Sequence, residues 1–320
     1  MSDADTNVAQ PSQSTGSDGA GAAATGGADV GVGGREATLW GDAWRQLRRN
    51  PLFIISAVVV AIFAVMAAFP QAFTWFYPGV QDPRTCSLSN TVGRPGATAW
   101  FGFDVQGCDY YVHVIHGARV SMIIGIATAA FSGVIAIIFG SLAGYYGGRL
   151  DTIISRVTDV FFAIPAILGA IVILNAIGTR GLPQVTLVLV ALGWMVMLRL
   201  MRSSTIERRD ADFVDAARAL GASTPRVIGR HILPNAIAPV IVYGTITIGV
   251  AISTEAALSF LGVGLQLPAI SWGLMINSSF TRILQAPHLL LFPGLFLSVL
   301  VLAFIVLGDA LRDALDPRLR

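Results

Sequence analysis

Beyond residue 38 the chain alternates long apolar stretches with short polar ones, and six of the apolar stretches stand out. They run roughly from Pro51 to Phe69, Ala118 to Tyr145, Thr152 to Ile177, Gln184 to Met201, Ala236 to Thr254 and Leu289 to Leu307. Each is near the ~20 residues that a helix needs to cross hydrocarbon, and the longer ones can tilt or protrude. The pattern predicts an all-α membrane protein with six transmembrane helices. Residues 1–38 are Gly, Ala, Ser, Asp and Thr with almost no large apolar side chain, so they read as a disordered tail. No basic stretch followed by an apolar one opens the chain, and the first span is expected to stay as an anchor.

Charge sets the orientation. With both termini on one side, 16 arginines face the side of the termini and only Arg84, Arg94, Arg119, Arg180 and Arg282 face the other. The positive-inside rule therefore predicts both termini in the cytoplasm, N-in and C-in. The expected organisation is a cytoplasmic tail (1–38), a lead-in with the first helix (39–70), an extracytoplasmic segment (71–117), a five-helix core (118–308) and a C-terminal cytoplasmic tail (309–320). Within that core, residues 202–235 form a cytoplasmic loop.

Composition agrees: 54% of residues are hydrophobic and 12% charged, with a mean hydropathy of +0.68. The arginines are sorted by loop and not gathered on one face, which argues against nucleic-acid binding. Lysine is absent, all 21 basic residues being arginine. That excludes a P-loop and any lysine Schiff base, and neither H-E-x-x-H nor G-x-S-x-G occurs. No catalytic residue, cofactor or metal site is expected, and any ATP must be hydrolysed by another chain.

The Arg199 to Asn235 region has its own local logic. Asp212 is placed to cap a short helix with Phe213, Ala217 and Leu220 on one face. Gly221 suits the left-handed position that stops it, and Thr224-Pro225 supplies an N-cap and N1 proline for a second helix that Pro234 ends. The expectation is helix, glycine turn, helix.

Asp215-Ala216-Ala217, Gly221 and Leu233-Pro234 in this region resemble the EAA motif of ABC-importer permeases, E-A-A-x3-G-x9-I-x-L-P. Two letters depart: Asp215 replaces Glu, and His231 stands where the motif has Ile. The resemblance continues through Arg48-Arg49-Asn50-Pro51, Trp100-Phe101-Gly102-Phe103-Asp104, Phe162-Ala163-Ile164-Pro165, Glu255-Ala256-Ala257-Leu258-Ser259-Phe260-Leu261-Gly262 and Ser271-Trp272-Gly273. Over some 280 residues the chain is similar to permeases of the oligopeptide and dipeptide importer family with an extra N-terminal span. That resemblance implies the type I importer permease fold, a second permease subunit, two ABC ATPase domains docked on the EAA region, an extracytoplasmic binding protein and a peptide substrate. Nickel, glutathione and haem importers share the architecture, and an autonomous channel or ion-coupled carrier is the reading from another class.

Four further residues complete the candidate set, together with a proline. Cys86 and Cys108 both fall in the extracytoplasmic segment, where a disulfide is expected to contribute about 3 kcal/mol by closing the loop. Asp159, Pro165 and Glu255 are candidates for the pathway. Asp159 has Arg156 as a local partner three residues before it. Pro165 permits a bend, and Glu255 reads as a helix-start carboxylate with Ser253 and Thr254 as caps. Gly140, Gly144 and Gly148 read as a smooth face for helix packing.

Overall fold

The computed structural model describes residues 39–315, so the tail expected at 1–38 lies outside the described residues. A short helix α1 (Leu39–Leu47) precedes α2 (Pro51–Ala68). Asn50 caps α2, its Oδ1 accepting the Leu52 N–H at 2.9 Å, and Pro51 occupies the first turn, where no N–H is needed. Leu52, Ile55, Val58, Ile62 and Val65 project outward from α2, the exposure expected of a helix facing lipid.

The second long helix, α3 (Tyr110–Tyr146), begins eight residues before the stretch read from hydropathy. Asp109 caps it, accepting from the Tyr111 and Val112 N–H groups. The polar-looking first turns are helical because they pack inside the protein: Tyr110 donates to the Leu289 carbonyl, and Trp272 Nε1 donates to Val114 O at 2.9 Å. A π-type turn at Ala136–Gly140 interrupts α3 without ending it.

The third and fourth apolar stretches are broken. α4 (Gly148–Phe162) meets α5 (Ala166–Ile177) at 85°, and α6 (Leu182–Ala191) meets α7 (Met195–Arg209) at 45°. Pro165 has no N–H to continue α4 and disfavours helical backbone at Ile164, so the chain turns there. Among the described residues, four continuous helices are thus long and apolar enough to span a membrane, or up to six if each bent pair is one span. Gly140 and Gly144 do form a packing face, on which α7 lies: a Cβ on Gly140 would meet Met201, and one on Gly144 would meet Thr205. Gly148 does not share it, having nothing within 4 Å of a would-be Cβ and a φ of +55° at the start of α4.

Next come α8 (Asp212–Ala219), the helical segment α9 (224–236), α10 (Ala238–Phe260), α11 (Trp272–Ser279) and α12 (His288–Leu315). α12 runs on through the residues expected to begin a C-terminal tail at 309, because Ala310 and Ala314 remain buried and Ala314 packs against Leu47 of α1. The largest core cluster joins α2, α3, α11 and α12 through Phe63, Tyr110, Met122, Trp272, Leu289 and Phe304. No strand forms among the described residues beyond two isolated bridges.

Candidate functional site

The α8–α9 connection is built as the sequence suggests, with its register corrected in places. Leu220 closes α8, Gly221 follows with φ +79°, Ala222 N–H bonds to Ala217 O at 3.0 Å and Gly221 N–H to Arg218 O at 2.9 Å. These two bonds define a Schellman turn, which requires the left-handed backbone that glycine adopts at little cost. Asp212 does not cap α8: Ala211 occupies that position without a side-chain bond, and Asp212 is the first helical residue, where its charge favours the helix N-terminus. Ser223 likewise takes the cap position expected of Thr224, which moves Pro225 to the second residue.

The buried face of α8 is Val214 and Ala217, three residues apart, while Phe213 is partly exposed and Leu220 is 88% exposed. The expected stripe of Phe213, Ala217 and Leu220 is therefore split, with two of its members pointing away from the body of the chain. Pro234 does not end α9, since a π turn at Val227–Ile232 precedes it and the helix continues to Ala236. The wider turn relieves the clash between a proline ring and the carbonyl four residues back. Asp215 is paired with Arg218 at 3.0 Å, and the Arg218 guanidinium lies 5.4 Å from the Tyr145 ring centre. Arg209 donates to Gly144 O at 3.0 Å, so cations from α7 and α8 hold this region to the end of α3.

Pro165 lines a cavity of about 400 Å³ between the bent pairs and α10. Thr128, Tyr243, Thr247 and Thr254 share its wall with Leu189 and Val250. Among the described residues no charged side chain contributes to the lining. Asp159 lies outside this cavity. Its side chain is 49% exposed, and its nearer partner is Arg199 at 2.8 Å, with Arg156 at 3.8 Å. The local pair is thus secondary: α7 runs beside α4 and brings in a cation from forty residues away. Arg199 also lies over the Phe162 ring at 4.0 Å, and Arg202 forks onto Asp151 one turn further along.

Glu255 is not a helix-start residue. It lies inside α10, fully buried, and Ser259 Oγ donates to its Oε1 at 2.8 Å while Ser121 of α3 and Ser271 of the α11 cap face it. Ser253 and Thr254 bond back to Gly249 O and Val250 O, as hydroxyls inside a continuing helix do, and cap nothing. The sequence missed this cluster because its members are up to 150 residues apart.

Cys86 and Cys108 are joined by a disulfide beside the start of α3. Tyr77 donates to Asp109 at 2.6 Å, and burial pushes the Asp109 carboxyl above the usual carboxylate range despite that bond and the two backbone N–H donors of the cap. Asp104 and His113 lie close to Cys108, yet its sulfur is committed to Cys86 and offers no thiolate to a metal.

Comparison with known proteins bears on the whole chain. Residues 136–320 match the family described as the binding-protein-dependent transport system inner membrane component, and residues 38–89 match the N-terminal TM domain of oligopeptide transport permease C. The oligopeptide transport system permease protein OppC of Bacillus subtilis is 36% identical, over 93% of this chain and 96% of its own length. The chain belongs to the ABC-importer permease family. This permease is also 37% identical to the dipeptide transport permease DppC of Bacillus subtilis, over 87% of this chain and 86% of that protein. It is 37% identical to the glutathione transport permease GsiD of Escherichia coli O157:H7, over 88% and 92%. An inward-facing structure of the MetNI methionine ABC transporter superposes with a TM-score of 0.52 at 20% identity, covering 63% of this permease and 96% of that chain, which supports the fold. The permease is a multi-pass membrane transport component and not an enzyme. Membership implies partner ATPases and a substrate-binding protein.

Proposed function

We propose that this permease imports short peptides across the cytoplasmic membrane, N-in and C-in, as one of two permease subunits that enclose the pathway by alternating access. The arginine distribution of 16 against five supports that orientation. In it, α8 and the Gly221 turn face the cytoplasm and dock the ATPases, and the Cys86–Cys108 disulfide lies in the oxidising compartment. The observation that carries the docking role is the Schellman turn at Gly221, which holds α8 against the body through Val214 and Ala217 while presenting Phe213 and Leu220 outward. A lever needs both a rigid foot and an exposed contact face, and α8 has the two.

The neutral cavity at Pro165 fits a peptide pathway, because hydroxyls and apolar walls can pass side chains of either charge without trapping one. Asp159 and Glu255 flank or brace this region and do not line it. Glutathione is a second reading, favoured by relatives as similar as the peptide permeases. Ligand retention by the cognate binding protein, measured for dipeptides, longer peptides and glutathione, separates the two.

Gly221→Val tests the lever. A β-branched residue at φ +79° strains the turn, so peptide uptake should fall at least about tenfold, equivalent to ~1.4 kcal/mol, while membrane insertion persists. Wild-type uptake at wild-type expression would overturn the docking role.

A further inference from the structure

Between α2 and α3 the surface opens into a groove of about 450 Å³ that shares no lining residue with the pathway cavity. Ala64, Ala67 and Ala68 form one wall; at spacings of three and four residues they share one face of α2, and their small side chains leave the seam open. Ile123 and Ile126 of α3 form the other wall, and both are exposed. Arg119 stands at the mouth.

The arginine is held in place by α2. Its Nε donates to Ala67 O at 2.9 Å and its Nη2 to Ala68 O at 3.2 Å, satisfying carbonyls that the end of the helix leaves open. Among the described residues no carboxylate pairs with it, and Nη1 carries no hydrogen bond. The guanidinium therefore keeps a net positive charge and a free donor edge over an apolar groove. Immediately beyond α2, Phe69, Trp75 and Phe76 are 65%, 83% and 64% exposed. Aromatic side chains thrust outward at the end of a span mark the headgroup level of a bilayer, and Arg119 shares that level. From Arg119 to Ile126 the groove descends about 10 Å at ~1.5 Å per residue, which is most of the roughly 15 Å that half of a ~30 Å hydrocarbon core provides.

We propose that the α2–α3 groove is a phospholipid site, in which one acyl chain lies against Ala64 and Ala68 and the phosphate is held by Arg119. In the orientation proposed above it belongs to the extracytoplasmic leaflet. A transmembrane helix of a second chain is the poorer occupant: covering the groove would bury Arg119, and nothing in hydrocarbon repays an unpaired charge. A phosphodiester brings the opposite charge and an apolar tail together, so it fills both parts of the site.

Native mass spectrometry of the full chain, purified with its partner subunits from nanodiscs of phosphatidylethanolamine and phosphatidylglycerol, tests the site. Wild type should keep a tightly bound phospholipid that survives delipidation in detergent. Ala64→Leu fills the groove from an exposed position, and its retention should fall about tenfold with the thermal midpoint unchanged. Arg119→Lys keeps the charge but cannot fork between two carbonyls and a phosphate, so it should also lose lipid. Ala64→Leu decides the case even where Arg119→Lys loosens α2. Equal lipid retention by Ala64→Leu and wild type would overturn the proposal, and so would release of a partner subunit by that variant with lipid retention unaltered.

Discussion

Around α2, α3, α11 and α12 the contacts are apolar, rich in aromatic rings and largely buried, whereas α4 is tied to α7 by arginine–carboxylate pairs that remain partly exposed. Trp272 stands for the first region. Its ring lies edge-on to Phe63 at 5.9 Å, and a Cβ on Gly117 would come within 2.8 Å of it, so α3 approaches as closely as a glycine allows. Arg199 stands for the second, bonded to Asp159 and lying over the Phe162 ring at the edge of an 85° bend. Close packing has one low-energy arrangement, but exposed ion pairs exchange partners at little cost. The contrast assigns rigidity to the continuous helices and adjustability to the bent pairs, which also line the hydroxyl-bearing cavity.

Breaking the rigid side should have the largest effect. Trp272→Ala removes a fully buried ring and its hydrogen bond to Val114 O. Large aromatic truncations in a core cost about 3–5 kcal/mol. The variant should lose its monodisperse peak in size-exclusion chromatography, and a thermal midpoint within a few degrees of wild type would show that the aromatic cluster is not the frame.

How much of this contrast the chain reveals by itself depends on sequence distance. Gly221 was legible because a Schellman turn is local: the helix, the left-handed residue and the following cap lie within a dozen positions. Pro165 was legible as a bend, though not its size, since proline removes an N–H without fixing the angle at which the next helix leaves. The first turns of α3 were hidden because Tyr110 looks interfacial until α12 covers it, and His113 until the preceding loop brings Pro83 O to 2.7 Å from its Nε2. Glu255 was misread for the same reason. Ser253 and Thr254 are good caps in sequence, and only packing shows that the helix runs through them and that Ser121 and Ser271 meet the carboxylate. Arg199 as partner of Asp159 needed the antiparallel neighbour that pairs positions forty residues apart.

On the adjustable side the Asp151–Arg202 pair is the stronger of the two, being bidentate and less exposed. A double-mutant cycle with Asp151→Asn and Arg202→Gln should give a coupling of about 1.5–3 kcal/mol, the range for hydrogen bonds to charged groups. Additive losses in thermal midpoint would mean that the pair is solvated and that α4 is held by packing after all.

The lobe carrying the disulfide adds a pH test of the rigid side. Because burial raises the Asp109 carboxyl above its unfolded value, the folded state holds its proton more tightly. Stability from this group is therefore greatest in acid and is lost as pH rises through the folded value. Tyr77, Tyr111, His113 and Asp104 are the other titratable groups around it. Asp109→Asn should flatten the stability–pH curve on the alkaline side of the ordinary carboxylate range, and an unchanged slope would place its origin in another group.

Asp159→Asn should have the smallest effect on stability, within about 1 kcal/mol, because both partners are half exposed and water replaces what the pair loses. Its interest is that function should respond more than the fold. With the carboxylate neutral, Arg199 keeps only the Phe162 ring, and the α4–α7 contact beside the bend loses its ionic restraint. If the bent pairs supply the motion, uptake should change several-fold, about 1 kcal/mol in barrier, at an unaltered thermal midpoint. Charge-swapping to Asp159→Arg with Arg199→Asp should bring uptake back towards wild type. A thermal loss as large as that of Trp272→Ala would place α4 in the rigid frame, and unchanged uptake would reduce the pair to a solvated surface contact.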